Sequence, residues 1–458
     1  MFSSLTGYSH IAELDEAVKN TRKKAEKRKQ LFNMCGYAAP PIPTVRLGIV
    51  GIGGRGKGAL RRISKIKDVE IRAICDIKKE AVNEGQDLLM EAGCQKAREY
   101  YGSNQIFKDM CESSDLDLIY IATSWDFHTP VAVYAMEQGK HAAVEVPAAR
   151  TLEECWQLVE TSERTRKHCM QLENCCYDFF EMLTLNMTRE GVFGELVHAE
   201  GAYIHTLGES HINNKKEWRM KENLRNGNLY PTHGLGPVCQ CLDINRGDQL
   251  DYMVSMSGND FQMEKRIKEL AEQDEFFKQF AGKPYRSNMN TSLIRTLKGK
   301  TIMVQHDITS PRIYDRKHLL SGTLGMAQKY PLPAKIAFEH GKDTWISESE
   351  MKELEKKYTP ALLKFIGETA RSVGGHGGMD FTMDWRLMDC LRNGLPLDQD
   401  VYDAALWCVI TPLSIWSVMN QSGSIVIPDF SGGSWKTNTP VNLTMQGGTT
   451  GLKNMKMK

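Results

Sequence analysis

Three glycines in the stretch GIGGRG, Gly51, Gly53 and Gly56, stand in G-x-G-x-x-G spacing, with Gly54 and Arg55 between them. The run VRLGIV before them is apolar, the run KGALRRISKI after them has helical spacing, and Asp76 closes the next apolar run. Glycine is common, so the spacing alone says little; strand, glycine turn, helix and acid together have a mechanism. Bare backbone lets a pyrophosphate approach, the start of a helix faces its negative charge, and a carboxylate takes the ribose diol. The chemistry expected here is dinucleotide binding. A carboxylate at position 76 also repels a 2′-phosphate, which favours NAD over NADP, although Lys78 and Lys79 stand beside it.

A second group of residues could move protons or hold a ring. His233 lies in YPTHGLGP, between a proline and two glycines, and the segment reads as a loop from which an imidazole can face the cofactor cleft. His376 lies in GGHGGMD, where four glycines read as a loop over the site. Trp125 and Trp218 are candidate platforms for a sugar or a nicotinamide. Tyr177, Tyr230 and Tyr314 have hydroxyls that could face a substrate or simply be satisfied inside the protein. Trp385 reads as core, Asp380 as a helix cap and Asp384 as a surface residue.

The elements that must position these groups follow from hydrophobic periodicity. Residues 1–44 form an N-terminal extension, helical over 11–35 and ended by AAPPIPT, which cannot continue a helix. From Val45, apolar strands alternate with helices through VEIRAICD, LDLIYIAT and HAAVEVP. That alternation implies right-handed βαβ crossovers and a doubly wound parallel sheet over 45–170. Over 171–431 the strand-like stretches ELVHAEGAYIH, LDYMVSMSG, SLIRTLKGKTIMVQHDI and TLGMAQKYP lie far apart. The expected fold is therefore α/β: an N-terminal Rossmann sheet plus a C-terminal α/β domain with a large, mainly antiparallel open sheet. Residues 432–458, rich in Gly, Thr, Asn and Lys, read as a partly mobile tail.

Bulk composition excludes several classes. Lys plus Arg (58) nearly cancels Asp plus Glu (57), so no nucleic-acid partner is expected, and the basic run Lys19–Lys29 reads as a solvated helix face. The 12 cysteines form no pair of CxxC knuckles, so no metal is expected and the thiols read as reduced. Reduced thiols and an N-terminus without a basic and then apolar leader favour the cytoplasm; a periplasmic location would follow if a leader had been removed. The longest apolar run, Ala404–Met419, is shorter than the roughly 20 residues of a membrane span and contains Pro412, so it reads as a buried helix.

The stretch TSWDFHTPVAVYAMEQGKHAAVEVP resembles the Gfo/Idh/MocA oxidoreductases through Thr123, His128, Gly139, Lys140, His141, Glu145 and Pro147. The resemblance implies that Glu145 and Pro147 lie beside the nicotinamide, with a cis bond before the proline. The family's dehydrogenases carry a proton-handling lysine between these two; this chain has Val146, which cannot hold a proton. The segments GELVHAEGAYIH, LYPTHGLGPV, HDITSPRIYDR, GGHGGMDF and LPLDQDVYDAALW resemble the family 109 glycoside hydrolases of the same superfamily. That resemblance implies an NAD-dependent glycosidase acting on α-N-acetylgalactosaminides. Its cycle is transient oxidation at sugar carbon 3, elimination, water addition and re-reduction. It also implies His233 and Tyr177 as catalytic residues, Tyr230, Tyr314, His376 and Trp218 at the sugar, and a homo-oligomer. An NAD(P)-dependent sugar or cyclitol oxidoreductase is the alternative, and a regulator that binds cofactor without turnover is a third.

Overall fold

The structure, a computed structural model, describes residues 11–339, 343–443, 445 and 448–453. Six strands form the first sheet: β1 (Val45–Val50), β2 (Val69–Cys75), β3 (Arg98–Tyr100), β4 (Leu118–Ile121), β5 (His141–Val144) and β6 (Cys169–Gln171). They pair in the order β3-β2-β1-β4-β5-β6, parallel throughout. The runs in β1, β4 and β5 are apolar without alternation because helices cover both faces of the sheet. The strand order reverses between β1 and β4, and the crevice at the carboxyl ends of such a reversal is where doubly wound sheets take ligands.

The second sheet has eight strands: β7 (Leu196–Ile204), β8 (Leu250–Ser257), β9 (Asn290–Thr296), β10 (Thr301–Asp307), β11 (Asp315–Gly322), β12 (Gly325–Gln328), β13 (Lys335–Phe338) and β14 (Ile425–Val426). Their order is β13-β12-β11-β7-β10-β9-β8-β14, and only the β7–β10 pair is parallel. SLIRTLKGKTIMVQHDI is a hairpin of β9 and β10 rather than one strand, turned at Gly299 with φ +87°. One face of this sheet buries Met253, Ile294, Ile302 and Val304; the other leaves Tyr252, Met256, Leu293 and Val426 exposed.

The apolar helix Val401–Met419 packs against the Leu152–Thr165 helix and β8 and is buried on nearly every side, Pro412 included. A helix apolar all round belongs in a core. Asp400 caps it by accepting from the backbone N–H of Tyr402 and Asp403. The N-terminal helix ends at Glu26, nine residues short of the expected 35. The chain after it runs irregularly toward the prolines, held by an ion pair of Arg28 with Glu163 and by the Gln30 side chain donating to the Tyr402 hydroxyl (2.7 Å). The C-terminal segment is not a loose tail over its described residues: Trp385 Nε1 donates to the Thr450 carbonyl (3.0 Å), and Leu452 bridges to Ile66.

Four short helices, Gly208–Asn213, Glu217–Glu222, Met263–Ala271 and Glu275–Lys278, form a small cluster beside the second sheet. It has a core of its own, built on Ile212, Met220, Ile267, Phe277 and Phe280.

Candidate active site

The carboxyl ends of β1, β2, β4 and β5 open into one cavity of about 1040 Å³, closed on its other side by residues of the second sheet and the small helical cluster. At β1 the chain turns through Gly51 at φ +91°, where a Cβ would stand 2.5 Å from the Ala122 carbonyl oxygen. Gly56 does not line the cavity: a Cβ there would meet the Gly51 carbonyl at 1.9 Å, so this glycine permits the strand and helix to touch. Gly53 and Gly54 have open space where side chains would be, and both line the cavity. The Gly54–Ile63 helix starts there with no side-chain cap and no acid in its first turn. Its free N–H groups and positive dipole end therefore face the cavity uncompensated, as an anion site requires. Asp76 lines the cavity from the end of β2, and its carboxylate also accepts from Ile52 N–H and Lys78 N–H at 2.8 and 2.9 Å. Glycine cradle, helix start and carboxylate fit a dinucleotide.

At the ends of β4 and β5, Thr123, Trp125, Glu145 and Val146 line the cavity. The bond before Pro147 is cis. Pro147 itself is not in the lining; its carbonyl accepts from His128 Nδ1 at 2.7 Å. The other ring nitrogen of His128 lies 3.2 Å from the Thr123 carbonyl, so the ring sits between the two strand ends. Burial pushes the His128 pKa below the usual histidine value, and the neutral ring donates through Nδ1. Arg55 does not point free into the cavity. It pairs with Glu145 (2.7 Å) and with Asp380 (3.1 Å) across the two halves of the chain.

His233 lies in the first turn of a helix, Thr232–Cys241, and not in a loop. Pro231 precedes the helix, where its missing N–H costs nothing. Gly234 lets the helix backbone press on β7, since a Cβ there would stand 2.2 Å from Ala202 N. His233 Nδ1 lies 2.6 Å from Oε1 of Glu173, which is fully buried just after β6. Burial raises the Glu173 pKa, but the His233 imidazole more than offsets it and the carboxyl stays below its ordinary range. The carboxylate fixes the proton on Nδ1 and leaves the Nε2 lone pair as the one available to a substrate. Tyr203 and Tyr230 meet the His233 ring edge-on at 5.1 and 4.8 Å, Trp125 stacks on Tyr230 (5.8 Å), and Trp218 meets Trp125 at 5.6 Å.

His376 lines the same cavity from the glycine loop, with φ +45°. Its Nδ1 lies 2.9 Å from Asp380 Oδ2. Burial would raise the Asp380 pKa, but the hydrogen bond from His376 and the charges of Arg55 and Arg62 hold it well below the usual carboxylate range. Asp380 is not the helix cap, which is Gly378, but the shared partner of His376 and Arg55, and Asp384 is no surface residue: it is fully buried and bound to Arg62 Nε at 2.6 Å.

Two expected sugar-site residues lie elsewhere. Tyr177 is buried in the core, 1% exposed, outside the cavity lining, and donates to the Asp398 carboxylate at 3.2 Å. Its position on a short 3₁₀ turn that packs against the Met379–Asn393 helix turns the ring inward. Tyr314 stands at the margin, edge-on to His205 at 4.9 Å and to Tyr203 at 6.4 Å, and does not line the cavity. Reading the sequence missed Glu173, Tyr203 and Arg219. An acid ending the apolar run MQL was the available signal for Glu173. Glu173, His233 and Cys175 bring their donor atoms within 4.8 Å of one another. Arg316 Nη1 lies 3.2 Å from the Cys175 sulfur, however, and burial keeps that thiol protonated.

A parallel sheet in this order, a glycine cradle at its switch point and a carboxylate-bound histidine facing it define a Rossmann-type dinucleotide-binding enzyme with a separate substrate-side sheet. Residues 45–172 match the oxidoreductase family with an NAD-binding Rossmann fold, and residues 177–437 match the C-terminal domain of glycosyl hydrolase 109. The chain belongs to glycosyl hydrolase family 109. It is 49% identical over 410 residues to a family 109 protein of Porphyromonas gingivalis, covering 86% of each chain. It is 46% identical over 411 residues to an alpha-N-acetylgalactosaminidase of Bacteroides fragilis, covering 88% of this chain and 96% of that one. Among solved structures it is similar in fold to levoglucosan dehydrogenase in complex with NADH and L-sorbose (TM-score 0.64, 16% identity, 85% of this chain and all of the other). Apo scyllo-inositol dehydrogenase from Lactobacillus casei is similar too (TM-score 0.60, 13% identity, 85% of this chain and 99% of the other).

Proposed function

We propose that the chain is an NAD-dependent glycosidase of α-N-acetylgalactosaminides in which His233, oriented by Glu173, moves the proton at sugar carbon 2. The observation that carries this reading is the 2.6 Å contact between His233 Nδ1 and a buried carboxylate, with the ring lining the cavity that the glycine cradle opens into. NAD⁺ bound on Gly51, Gly53, Gly54 and Asp76 would withdraw and return a hydride at carbon 3, which makes the carbon 2 proton acidic enough for a modest base. An imidazole backed by a carboxylate is such a base. Val146 stands where a proton carrier would serve net oxidation of an alcohol, and it is 4% exposed and carries no proton. Tyr203, Tyr230 and the paired tryptophans provide ring faces for a sugar. His376, held by Asp380 and with its side chain 59% exposed, is placed to exchange a proton with the leaving oxygen or with water. The exposed apolar residues Tyr252, Leu293 and Val426 on the outer face of the second sheet support self-association through that face.

The test is incubation with p-nitrophenyl α-N-acetylgalactosaminide and NAD⁺, following p-nitrophenol and the NADH band together. Release without net NADH, abolished in His233→Ala, is the expected result. Steady NADH formation from free sugars or cyclitols without p-nitrophenol release would instead make the protein an oxidoreductase.

A further inference from the structure

The cavity also holds cationic side chains that the proposed reaction does not use. Six arginines are buried among the described residues: Arg62, Arg225, Arg246, Arg286, Arg316 and Arg386. Five have a carboxylate in contact, namely Asp384, Glu222, Asp403, Glu181 and Asp398 respectively. Arg286, 2% exposed and part of the cavity lining, has none. Its Nη2 donates to His306 Nδ1 at 2.6 Å, its Nε has only a long contact to the Ser287 carbonyl at 3.5 Å, and Nη1 makes no hydrogen bond to a described residue. His306 Nδ1 also accepts from Leu229 N–H at 3.2 Å, so the ring is a neutral acceptor and brings no counter-charge.

A second unpaired guanidinium lines the same cavity. Arg219 lies over the Trp218 ring at 4.4 Å and the Trp125 ring at 5.2 Å and has no carboxylate partner among the described residues. Burial lowers its pKa, and burial only partly offset by Asp307 and Asp260 pulls Arg286 down to about 10. The cost of holding these charges away from water is left for something absent from the protein to offset. His211, which also lines the cavity, is likewise held neutral by burial.

Two sources of negative charge could enter, the phosphates of a dinucleotide and an acidic group on the substrate. The pyrophosphate is provided for at the glycine cradle and the start of the Gly54–Ile63 helix. Arg286 precedes β9 in the second half of the chain and connects to the substrate side. It holds His306, which stacks on Tyr203 (6.1 Å, 20°), and Tyr203 meets His233. We propose that Arg286, with Arg219, forms an oxyanion subsite for a sulfate ester or carboxylate carried by the sugar itself, so that the substrate is an anionic glycan. This rests on the glycosidase reading of the same cavity, and guanidinium is the side chain suited to planar, two-point recognition of such groups.

The experiment is calorimetric titration of the NAD⁺-loaded protein with N-acetylgalactosamine, its 4-sulfate, its 6-sulfate and galacturonate. At least one charged sugar is expected to bind about tenfold or more tightly than the neutral one, the margin of one charge-assisted hydrogen bond. Arg286→Met is expected to remove most of that margin, with NAD⁺ affinity as the control. Equal binding of neutral and charged sugars by the unmodified protein, which needs no variant to fold, would overturn the subsite. Weakened NAD⁺ binding in Arg286→Met would overturn it as well, by giving the charge to the cofactor's phosphates. Binding is read without turnover. A failure to release p-nitrophenol therefore counts against the glycosidase alone, while equal binding by a protein that does release it counts against the subsite alone.

Discussion

Replacing Glu173 by Gln tests the proposed proton transfer at its most sensitive point. The change keeps the shape of a fully buried side chain and removes one charge from a contact of 2.6 Å with His233 Nδ1. When His233 takes a proton, positive charge appears on a ring whose centre is about 4 Å from that carboxylate. At an effective dielectric of about 20, a pair of unit charges at that separation is worth about 4 kcal/mol. Losing it from the transition state lowers kcat by about a thousandfold. The amide can also present its NH₂ to Nδ1, which moves the ring proton to Nε2 and leaves no lone pair toward the sugar. Because Glu173 lies away from the glycine cradle, the Kd for NAD⁺ is expected to change less than threefold. The assay is p-nitrophenol release at saturating substrate, with NAD⁺ affinity from fluorescence titration. An E173Q protein within a factor of five of the unmodified kcat, folded and NAD⁺-loaded, would refute His233 as the base.

The two halves of the glycine cradle separate fold from binding. Gly53→Ala meets nothing within 4 Å and should leave Tm unchanged while weakening NAD⁺ at least tenfold, whereas Gly51→Ala, at φ +91° and 2.5 Å from a carbonyl oxygen, should lower Tm by several degrees; calorimetry and NAD⁺ titration read both. Tyr177→Phe loses one hydrogen bond to Asp398, so about 1 kcal/mol of stability should go with kcat kept within twofold, as denaturant unfolding and the glycosidase assay would show. Asp380 and Asp178 have pKa values held below the ordinary carboxylate range, largely by Arg55, Arg62 and His376 for the first and by Arg316 and Lys329 for the second. The unfolded chain binds protons there before the folded one does, so their stability is present above about pH 4 and lost as pH falls below it. Asp380→Asn should flatten that fall by up to one proton in a series of unfolding curves from pH 5 to 3. Leu293→Glu on the open sheet face should lower the mass measured by light scattering if the chain self-associates there.

What the sequence made legible was local. The parallel sheet followed from uninterrupted apolar runs, and the glycine cradle from a strand, a turn and a helix within a few residues. What stayed hidden joins distant positions: Glu173 to His233 across 60 residues, Arg55 to Asp380 across 325, Arg62 to Asp384 across 322. Nothing in the periodicity near Asp384 distinguishes an exposed acid from one neutralised by an arginine on another domain's helix. The helix carrying His233 was hidden for a different reason. Pro237 and two glycines are poor helix formers, and tertiary contact overrides them because Gly234 permits the close approach to β7 that a larger residue would forbid. Tyr177 shows the converse, since the direction in which its short turn points the ring is decided by packing against the Met379–Asn393 helix and not by local spacing.

Val146 and Arg55 together bear on where protons can move. In this cavity the strand end at β5 offers an aliphatic side chain and a glutamate already engaged by a guanidinium. A proton leaving the sugar therefore finds no free acceptor on the first sheet among these residues. The two histidines that line the cavity with a carboxylate behind them, His233 and His376, both come from the second half of the chain. The first sheet then serves redox exchange and the second half serves acid–base work. Hydride removal at carbon 3 also releases the carbon 3 hydroxyl proton, in transient as in net oxidation, and with Val146 on the first sheet its acceptor on the proposed reading is one of these two histidines. A lysine at position 146 would put a second proton carrier beside Glu145 and join the two tasks. On the proposed reading, Val146→Lys should raise net NADH formation from free N-acetylgalactosamine while slowing p-nitrophenol release.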